Sequence, residues 1–329
     1  MPAPPTDSFK RKIDYLRLSI TDRCNLRCSY CMPESGVPKL DHAEILRYEE
    51  IVRLAGIVTA MGISKVRITG GEPLVRKDVL SLCASISGLS GLKSLGLTTN
   101  GVLLADFAKG LRDAGIKRIN VSLDTLRPER FAAITRKDLF HRVWEGILAA
   151  ERAGISPVKL NAVIMRGVND DEIEDLARLT FQFPFHVRFI EFMPFQQVDY
   201  DTAFVPASEI LERLRRVAPL AASRGGESNG PARHYRFEGA PGKIGIISPV
   251  SEHFCPSCNR LRLTSDGKLR TCLFSTEETD LRLPLRQGLP DEEIAAAIRA
   301  AINKKPEKHQ LSSPVFRKCI SRPMFSIGG

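Results

Sequence analysis

The chain has 329 residues, 43% of them apolar, with 24 Gly and 21 Pro, and carries a formal charge of +10 from 48 Lys and Arg against 38 Asp and Glu. Such a composition excludes a disordered or collagen-like polymer, and no run approaches the roughly 18 apolar residues of a membrane-spanning helix. The cationic excess predicts anionic partners, and the first residues lack the apolar stretch of a secretory signal, so the expectation is a soluble, cytoplasmic protein with no membrane partner.

Alternation of apolar and polar residues predicts a strand over 15–20, and a 3.6-residue rhythm predicts a helix over 42–61. Further strands are expected over 66–69, 95–98, 118–123, 158–164 and 186–192. Helical stretches such as 103–114, 140–153 and 171–179 separate them. Six strands alternating with helices imply an α/β fold with a parallel sheet and right-handed crossovers.

Within the strands, Leu16 and Leu18 interleave with Arg17 and Ser19, and Ile119, Val121 and Leu123 with Asn120, Ser122 and Asp124. Successive side chains point to opposite faces, so one face takes the helices and the other is polar. A sheet covered on both faces reads as continuously apolar, and a closed eight-unit barrel packs its interior with branched side chains. The pattern therefore predicts an incomplete, TIM-like (βα)6 barrel around a roomy polar cavity, with a one-side-solvated antiparallel sheet as the alternative.

Residues 222–242, rich in Gly, Ser, Pro and Arg, read as a linker or crossing segment. They divide a barrel over 1–221 from a C-terminal region over 222–329. That region is expected to hold a strand over 243–248, an antiparallel hairpin over 260–274 turning at Asp266-Gly267, and a helix over 291–303 opening on acidic residues.

Six of the eight cysteines are clustered. Cys24, Cys28 and Cys31 follow the first strand as C-x3-C-x2-C, and Cys255, Cys258 and Cys272 are spread over the hairpin as C-x2-C-x13-C. Closed zinc sites and most cubane iron–sulfur clusters take four protein ligands, so each triad is one ligand short. Three thiolates can hold three irons of a cubane and leave the fourth open to a small molecule. A zinc site completed by His42, or by Cys319 at the second triad, is the alternative. Cys83, among apolar residues on a helix, reads as a core residue, and the histidines show no ligand spacing. Arg17, Arg67, Lys159, Arg188, Arg260 and Arg262 share the polar strand phase, a cationic set suited to polyphosphate, although scattered surface arginines would also fit the counts.

The first triad with Tyr30, and the turn Gly70-Gly71-Glu72-Pro73, resemble the signature and GGEP motifs of radical S-adenosylmethionine (SAM) enzymes. Motifs along nearly the whole chain, including Thr98-Thr99-Asn100-Gly101, Arg188-Phe189-Ile190-Glu191-Phe192-Met193, Phe254-Cys255-Pro256-Ser257-Cys258-Asn259-Arg260-Leu261-Arg262 and the final Gly-Gly, are similar to the branch of that family that cyclises GTP in molybdenum cofactor synthesis. The resemblance implies two [4Fe-4S] clusters, one on each triad, with SAM contacted by Tyr30, Gly71, Ser122 and Met193. It implies GTP contacts from Arg17, Arg67, Thr98, Lys159, Arg188, Arg260, Leu261 and Arg262. It further implies a reducing electron donor, delivery of the product to cyclic pyranopterin monophosphate synthase, room for a homodimer, and no nucleic-acid partner. A different radical SAM enzyme acting on a polymer, or a non-catalytic zinc or iron–sulfur protein, remains the competing reading.

Overall fold

The computed structural model describes residues 2–36, 40–195, 200–223, 230–311, 322 and 324–327. The first part of the chain alternates as expected: β1 (Tyr15–Ser19), α1 (Tyr48–Ala60), β2 (Lys65–Thr69), α2 (Val79–Ser87), β3 (Ser94–Thr99), α3 (Leu104–Asp113), β4 (Arg118–Ser122), α4 (Pro128–Thr135), α5 (Phe140–Arg152), β5 (Val158–Ile164), α6 (Ile173–Gln182) and β6 (His186–Glu191). There follow α7 (Tyr200–Ala203), α8 (Ala207–Val217), β7 (Leu220–Ala222), β8 (Arg233–Phe237), β9 (Lys243–Ile247), β10 (Arg260–Leu263), β11 (Lys268–Arg270), β12 (Thr279–Asp280), α9 (Arg282–Arg286) and α10 (Asp291–Asn303). Among the described residues no helix is long and apolar enough to cross a membrane.

Among the described residues all strands join one sheet in the order β12-β11-β10-β1-β2-β3-β4-β5-β6-β9-β8-β7. Its ends do not pair with each other, so the barrel is open, as the polar strand phase predicts. The parallel wall is wider than six strands, however. β10 pairs in parallel with β1, and β9 in parallel with β6, so the C-terminal region extends the barrel on both flanks. The expected hairpin is β10–β11, antiparallel, with Gly267 at φ +81° in its turn, a conformation that glycine adopts at no steric cost.

Apolar side chains of the strands meet the helices in one continuous core. Leu16, Leu18, Ile68, Leu97, Val121, Leu160 and Phe189 are buried together with Leu54, Leu82, Leu111, Val143 and Ile147 from the helices. In β5 buried and half-buried residues alternate without exception, as a strand with one core face and one cavity face requires.

Two expectations are corrected. The helix read over 42–61 begins only at Tyr48, because the carbonyls that a helix would use internally are taken from outside. Arg286 donates to the carbonyls of Ala43 and Ile45, Arg282 to that of Glu44, and Arg76 to that of Leu46. The segment read as a linker over 222–242 contains β8, which pairs antiparallel with β7 and β9. The Gly- and Ser-rich stretch 224–229 lies outside the described residues.

Candidate active site

The cysteine loop begins where β1 ends, at the C-terminal mouth of the barrel. Cys255 and Cys258 precede β10, which runs parallel to β1 with Arg260 level with Tyr15, so they sit at the opposite mouth. β11 returns antiparallel and brings Cys272 back to the same end. A five-residue strand, about 16 Å, separates the triads, and both line one cavity of about 640 Å³. All six thiols are free. Among the described residues no three His, Cys, Asp or Glu side chains converge on one point as a single ion requires. A cubane carries its thiolates on separate irons and makes no such demand. His42, the candidate fourth zinc ligand, is turned towards the Arg23 guanidinium at 3.5 Å; Cys319 lies outside the described residues.

The first triad is set in a dry environment. Burial pushes the Cys24, Cys28 and Cys31 thiols up, Cys31 to about 12, and neighbouring Cys24 and Asp124 add to it. The Asn100 amide approaches the Cys24 sulfur at 3.7 Å, and the Leu26 N–H at 3.4 Å. Tyr30 donates its hydroxyl to Asp124 Oδ2 at 2.8 Å, and the Val163 N–H holds Oδ1 at 2.8 Å. Burial raises the Asp124 carboxyl to about 6. Met324 and Phe325 of the chain end also line the cavity here, and the Phe325 backbone meets the Cys31 sulfur. Gly328 and Gly329, beyond them, lie outside the described residues.

Small size at Gly70 and Gly71 serves packing of loop against loop. A Cβ on Gly71 would stand 2.4 Å from the Arg23 carbonyl oxygen, and one on Gly70 2.7 Å from that of Thr21. The Gly71 N–H donates to Thr21 at 2.7 Å, and the Glu72 N–H to Arg23 at 2.8 Å. Glu72, fully buried and raised to about 7 by that burial, accepts from the Leu74 N–H, the Thr99 hydroxyl and the Asn100 N–H at 2.6–3.0 Å. This carboxylate locks the turn after β2 to the turn after β3, a role the sequence did not reveal. Gly71→Ala should therefore displace the backbone next to Cys24, at a cost of about 1–3 kcal/mol. Chemical denaturation should show that loss, and an unchanged unfolding midpoint in Gly71→Ala would refute this reading of the glycine.

Between the triads the wall is cationic. Arg17 is level with Arg262 on one side and Arg67 on the other, and Arg67 with Gly96. Arg67 lies flat across Gly96, whose Cβ position is 2.9 Å from Nη2. Its Nε donates to the Tyr15 hydroxyl at 2.6 Å and Nη1 to the Leu97 carbonyl at 2.9 Å. Gly245 gives Arg188 a similar bed, 3.0 Å from Cγ. Arg260 lies over the rings of Phe254 and Tyr15 at 5.2 and 5.9 Å.

Lys159, Arg188, His186, Lys243 and His234 continue this wall across β5, β6, β9 and β8. The single carboxylate among the described lining residues, Asp124, is at the first triad. Crowded cations in a buried wall disfavour one another's charge. Burial first, then Arg188, Arg67 and Arg118, lowers Lys159 to about 6, and burial with Lys159, Arg188 and Lys243 lowers His186 to about 3 and His234 to about 4. Burial would raise the Tyr15 phenol, but Arg67, Arg17 and Arg260 bring it down to about 8.

At the second triad burial would likewise raise Cys258, but Lys305, Arg260 and Arg262 outweigh it and hold the thiol below its ordinary range.

The cavity thus gathers Tyr30, Gly71, Ser122 and Met193 near the first triad and Arg17, Arg67, Thr98, Lys159, Arg188, Arg260 and Arg262 between the two. Leu261 differs: its side chain is fully buried in the core, on the face opposite Arg260 and Arg262, leaving only its backbone on the cavity side. Sequence reasoning missed Tyr15, Lys65 and Arg118, although each shares the strand phase of a residue it did find. It also missed His186, His234 and Lys243, which lie at strand starts or in the supposed linker.

Comparison with known proteins places two family models on the chain: the radical SAM superfamily over residues 18–180 and molybdenum cofactor synthesis C over 185–311. The GTP 3′,8-cyclase of Moorella thermoacetica is 51% identical over 98% of this chain and 99% of its own length. That of Heliobacterium modesticaldum is 52% identical over 93% and 94%. The structure of Streptococcus suis SuiB bound to S-adenosylmethionine shares the fold, with a TM-score of 0.58 at 15% identity over 91% of this chain and 73% of that one.

Proposed function

The chain belongs to the GTP 3′,8-cyclase family of radical SAM enzymes, and from that premise we propose how its residues divide the work. The protein is a radical SAM cyclase of molybdenum cofactor biosynthesis, converting GTP to 3′,8-cyclo-7,8-dihydro-GTP. Cys24, Cys28 and Cys31 hold a [4Fe-4S] cluster that binds SAM, and Cys255, Cys258 and Cys272 hold a second one that receives the guanine. The donor sets fit: three free thiols line the cavity at each mouth. Held by Cys24, Cys28 and Cys31, a reduced cluster with SAM would supply a 5′-deoxyadenosyl radical, chemistry able to remove the ribose C3′ hydrogen; joining C3′ to guanine C8 would then need one further electron and one proton to give the dihydro product.

The protein's own task is placement. Tyr30, Gly71, Ser122 and Met193 border the SAM end, with Tyr30 fixed by Asp124. Arg17, Arg67, Thr98, Lys159, Arg188, Arg260, Arg262 and the Leu261 backbone receive GTP, with the guanidinium groups presenting paired N–H donors to phosphate oxygens. Arg67 is already oriented by Tyr15 and Leu97, so little side-chain entropy remains to be lost on binding. Phe192, Phe195 and Phe274 add apolar lining that excludes water from a reactive radical. An external reductant supplies electrons, and the product passes to cyclic pyranopterin monophosphate synthase. We place the enzyme in the cytoplasm, with no nucleic-acid partner.

One observation carries this reading: two thiol triads face each other along a single cavity whose connecting wall is cationic. Anaerobic reconstitution should give about seven to eight irons per chain. Incubation with SAM, a strong reductant and GTP should then yield the cyclised nucleotide, and a colourless protein holding zinc would end the proposal.

The lowered Lys159 adds a measurable signature. Near pH 8 the triphosphate is fully ionised and the lysine, at about 6 in the unliganded wall, is neutral. A polyphosphate restores its proton, so GTP binding takes up about one proton and weakens as pH rises above 6. Calorimetry in two buffers of different ionisation enthalpy should show this uptake, and Lys159→Met should abolish it; binding without uptake contradicts the placement of Lys159 on phosphate.

A further inference from the structure

Two buried cations outside every motif brace the second triad. Arg11 donates through Nη1 to the Cys255 carbonyl at 2.9 Å and to the Glu307 carbonyl at 2.9 Å, and through Nη2 to the Pro306 carbonyl at 2.7 Å. Asp7, itself buried, holds its Nε at 2.6 Å. Lys305 directs its ammonium at the carbonyl of Arg260, 3.0 Å away, and at that of Thr271. Arg260 stands two residues after Cys258, and Thr271 immediately precedes Cys272. Each of the three backbone stretches bearing a thiol is therefore tied to one of these cations. The cations are joined in turn, because Arg11 grips the two residues that follow Lys305.

Simple bracing would need only neutral donors. Lys305 is 3% exposed, and none of the described carboxylates pairs with it. An ammonium buried without a carboxylate is costly unless some other negative charge accompanies it. The thiol set is such a candidate, since Lys305 binds the backbone on both sides of it and acts electrostatically on Cys258.

Resting on the two-cluster reading above, we propose that Arg11 and Lys305 are positioning residues of the second triad, fixing its three thiols in ligating geometry, and that Lys305, with no described carboxylate beside it, also compensates the charge of the cluster they hold. Net charge and hydrogen bonding around an iron–sulfur cluster set its reduction potential, so a fixed cation beside it would favour the reduced, more negative state.

The test uses the full-length chain with Cys24→Ser, Cys28→Ser and Cys31→Ser, so that iron reports on the second triad alone. If this parent binds no iron after anaerobic reconstitution, the two-cluster reading falls and the proposal with it. In the iron-loaded parent, Lys305→Gln keeps an N–H donor and removes the charge. It should shift the reduction equilibrium at least about tenfold against the reduced state, about 59 mV for a one-electron couple, in a redox titration followed by electron paramagnetic resonance. Lys305→Arg should return the midpoint to within about threefold of the parent.

An iron-loaded Lys305→Gln whose midpoint stays within that threefold overturns the proposal. If Lys305→Gln folds by circular dichroism and yet binds no iron, Lys305→Arg must recover the iron, and its failure to do so also overturns it. Should Lys305→Gln not fold, iron content is read on Arg11→Gln, which should bind less iron than the parent, and undiminished iron there overturns the proposal.

Discussion

Cys258→Ser will give a protein that cleaves SAM and forms no cyclised GTP. The separation follows from the topology. β1 carries the first triad beyond its C-terminal end, while β10, parallel to it, carries Cys258 before its N-terminal end, so the two sites share a cavity and no ligand. The Cys258 thiol is held below its ordinary range because Lys305, Arg260 and Arg262 outweigh the burial that opposes its charge. A serine hydroxyl in the same place stays protonated and is a poor ligand for iron. On the proposed division of labour, loss of that ligand removes the anchor of the guanine, so a radical generated at the far mouth would find no correctly placed C–H bond. Misplacement by 1 Å can cost about 100-fold in rate, so loss of an anchor should take cyclisation below detection. The measurement is chromatographic analysis of 5′-deoxyadenosine and of the cyclised nucleotide from one anaerobic reaction. Undiminished product would remove the second triad from the chemistry.

Arg260→Ala combined with Arg262→Ala should weaken GTP far more than GMP. Both arginines project into the cavity from one face of β10, and Arg262 is level with Arg17, so the pair removes two adjacent guanidinium groups from the wall. A charge-assisted bond to phosphate contributes roughly 1.5–3 kcal/mol, so the double change predicts at least about 100-fold loss of GTP affinity. GMP, with one phosphate, should lose less than about tenfold. Arg262 is held well below its usual range by burial and by Arg17 and Arg260, which shows how much charge this wall already carries before a ligand arrives. Titration of both nucleotides against the reconstituted variant decides the matter. Equal losses would move the phosphates to another part of the cavity.

Much of this site was legible because a strand repeats every two residues. Once Leu16, Leu18 and Ile20 are assigned to the core, Arg17 has to face the other way, and the same logic delivers Arg67, Lys159 and Arg188. Spacing could not show that β9 and β10 would attach in parallel to opposite flanks, since that depends on where a connection crosses the barrel. Nor could it show the true start of α1, where arginines from distant segments take the carbonyls of residues 43–46. Periodicity reports which face of an element is apolar and is silent about tertiary hydrogen bonds. β8 was hidden for a related reason: its five residues stand between glycines and prolines that mark turns. The cations Arg11 and Lys305 carry no motif, and the motif that contains Glu72 does not show which backbone groups its carboxylate ties together, because a buried charge is recognised only by what surrounds it.

The order of strands has a bearing on any attempt to dissect the molecule. The two family models meet between residues 180 and 185, which invites a cut there. Such a cut would strip β10 from β1 and β6 from β5, leaving two raw ladders of unpaired amides and carbonyls on the first fragment. Exposed strand edges of that kind recruit other chains. The sequence halves are thus inseparable in practice: the second half is the hoop that grips both rims of the first.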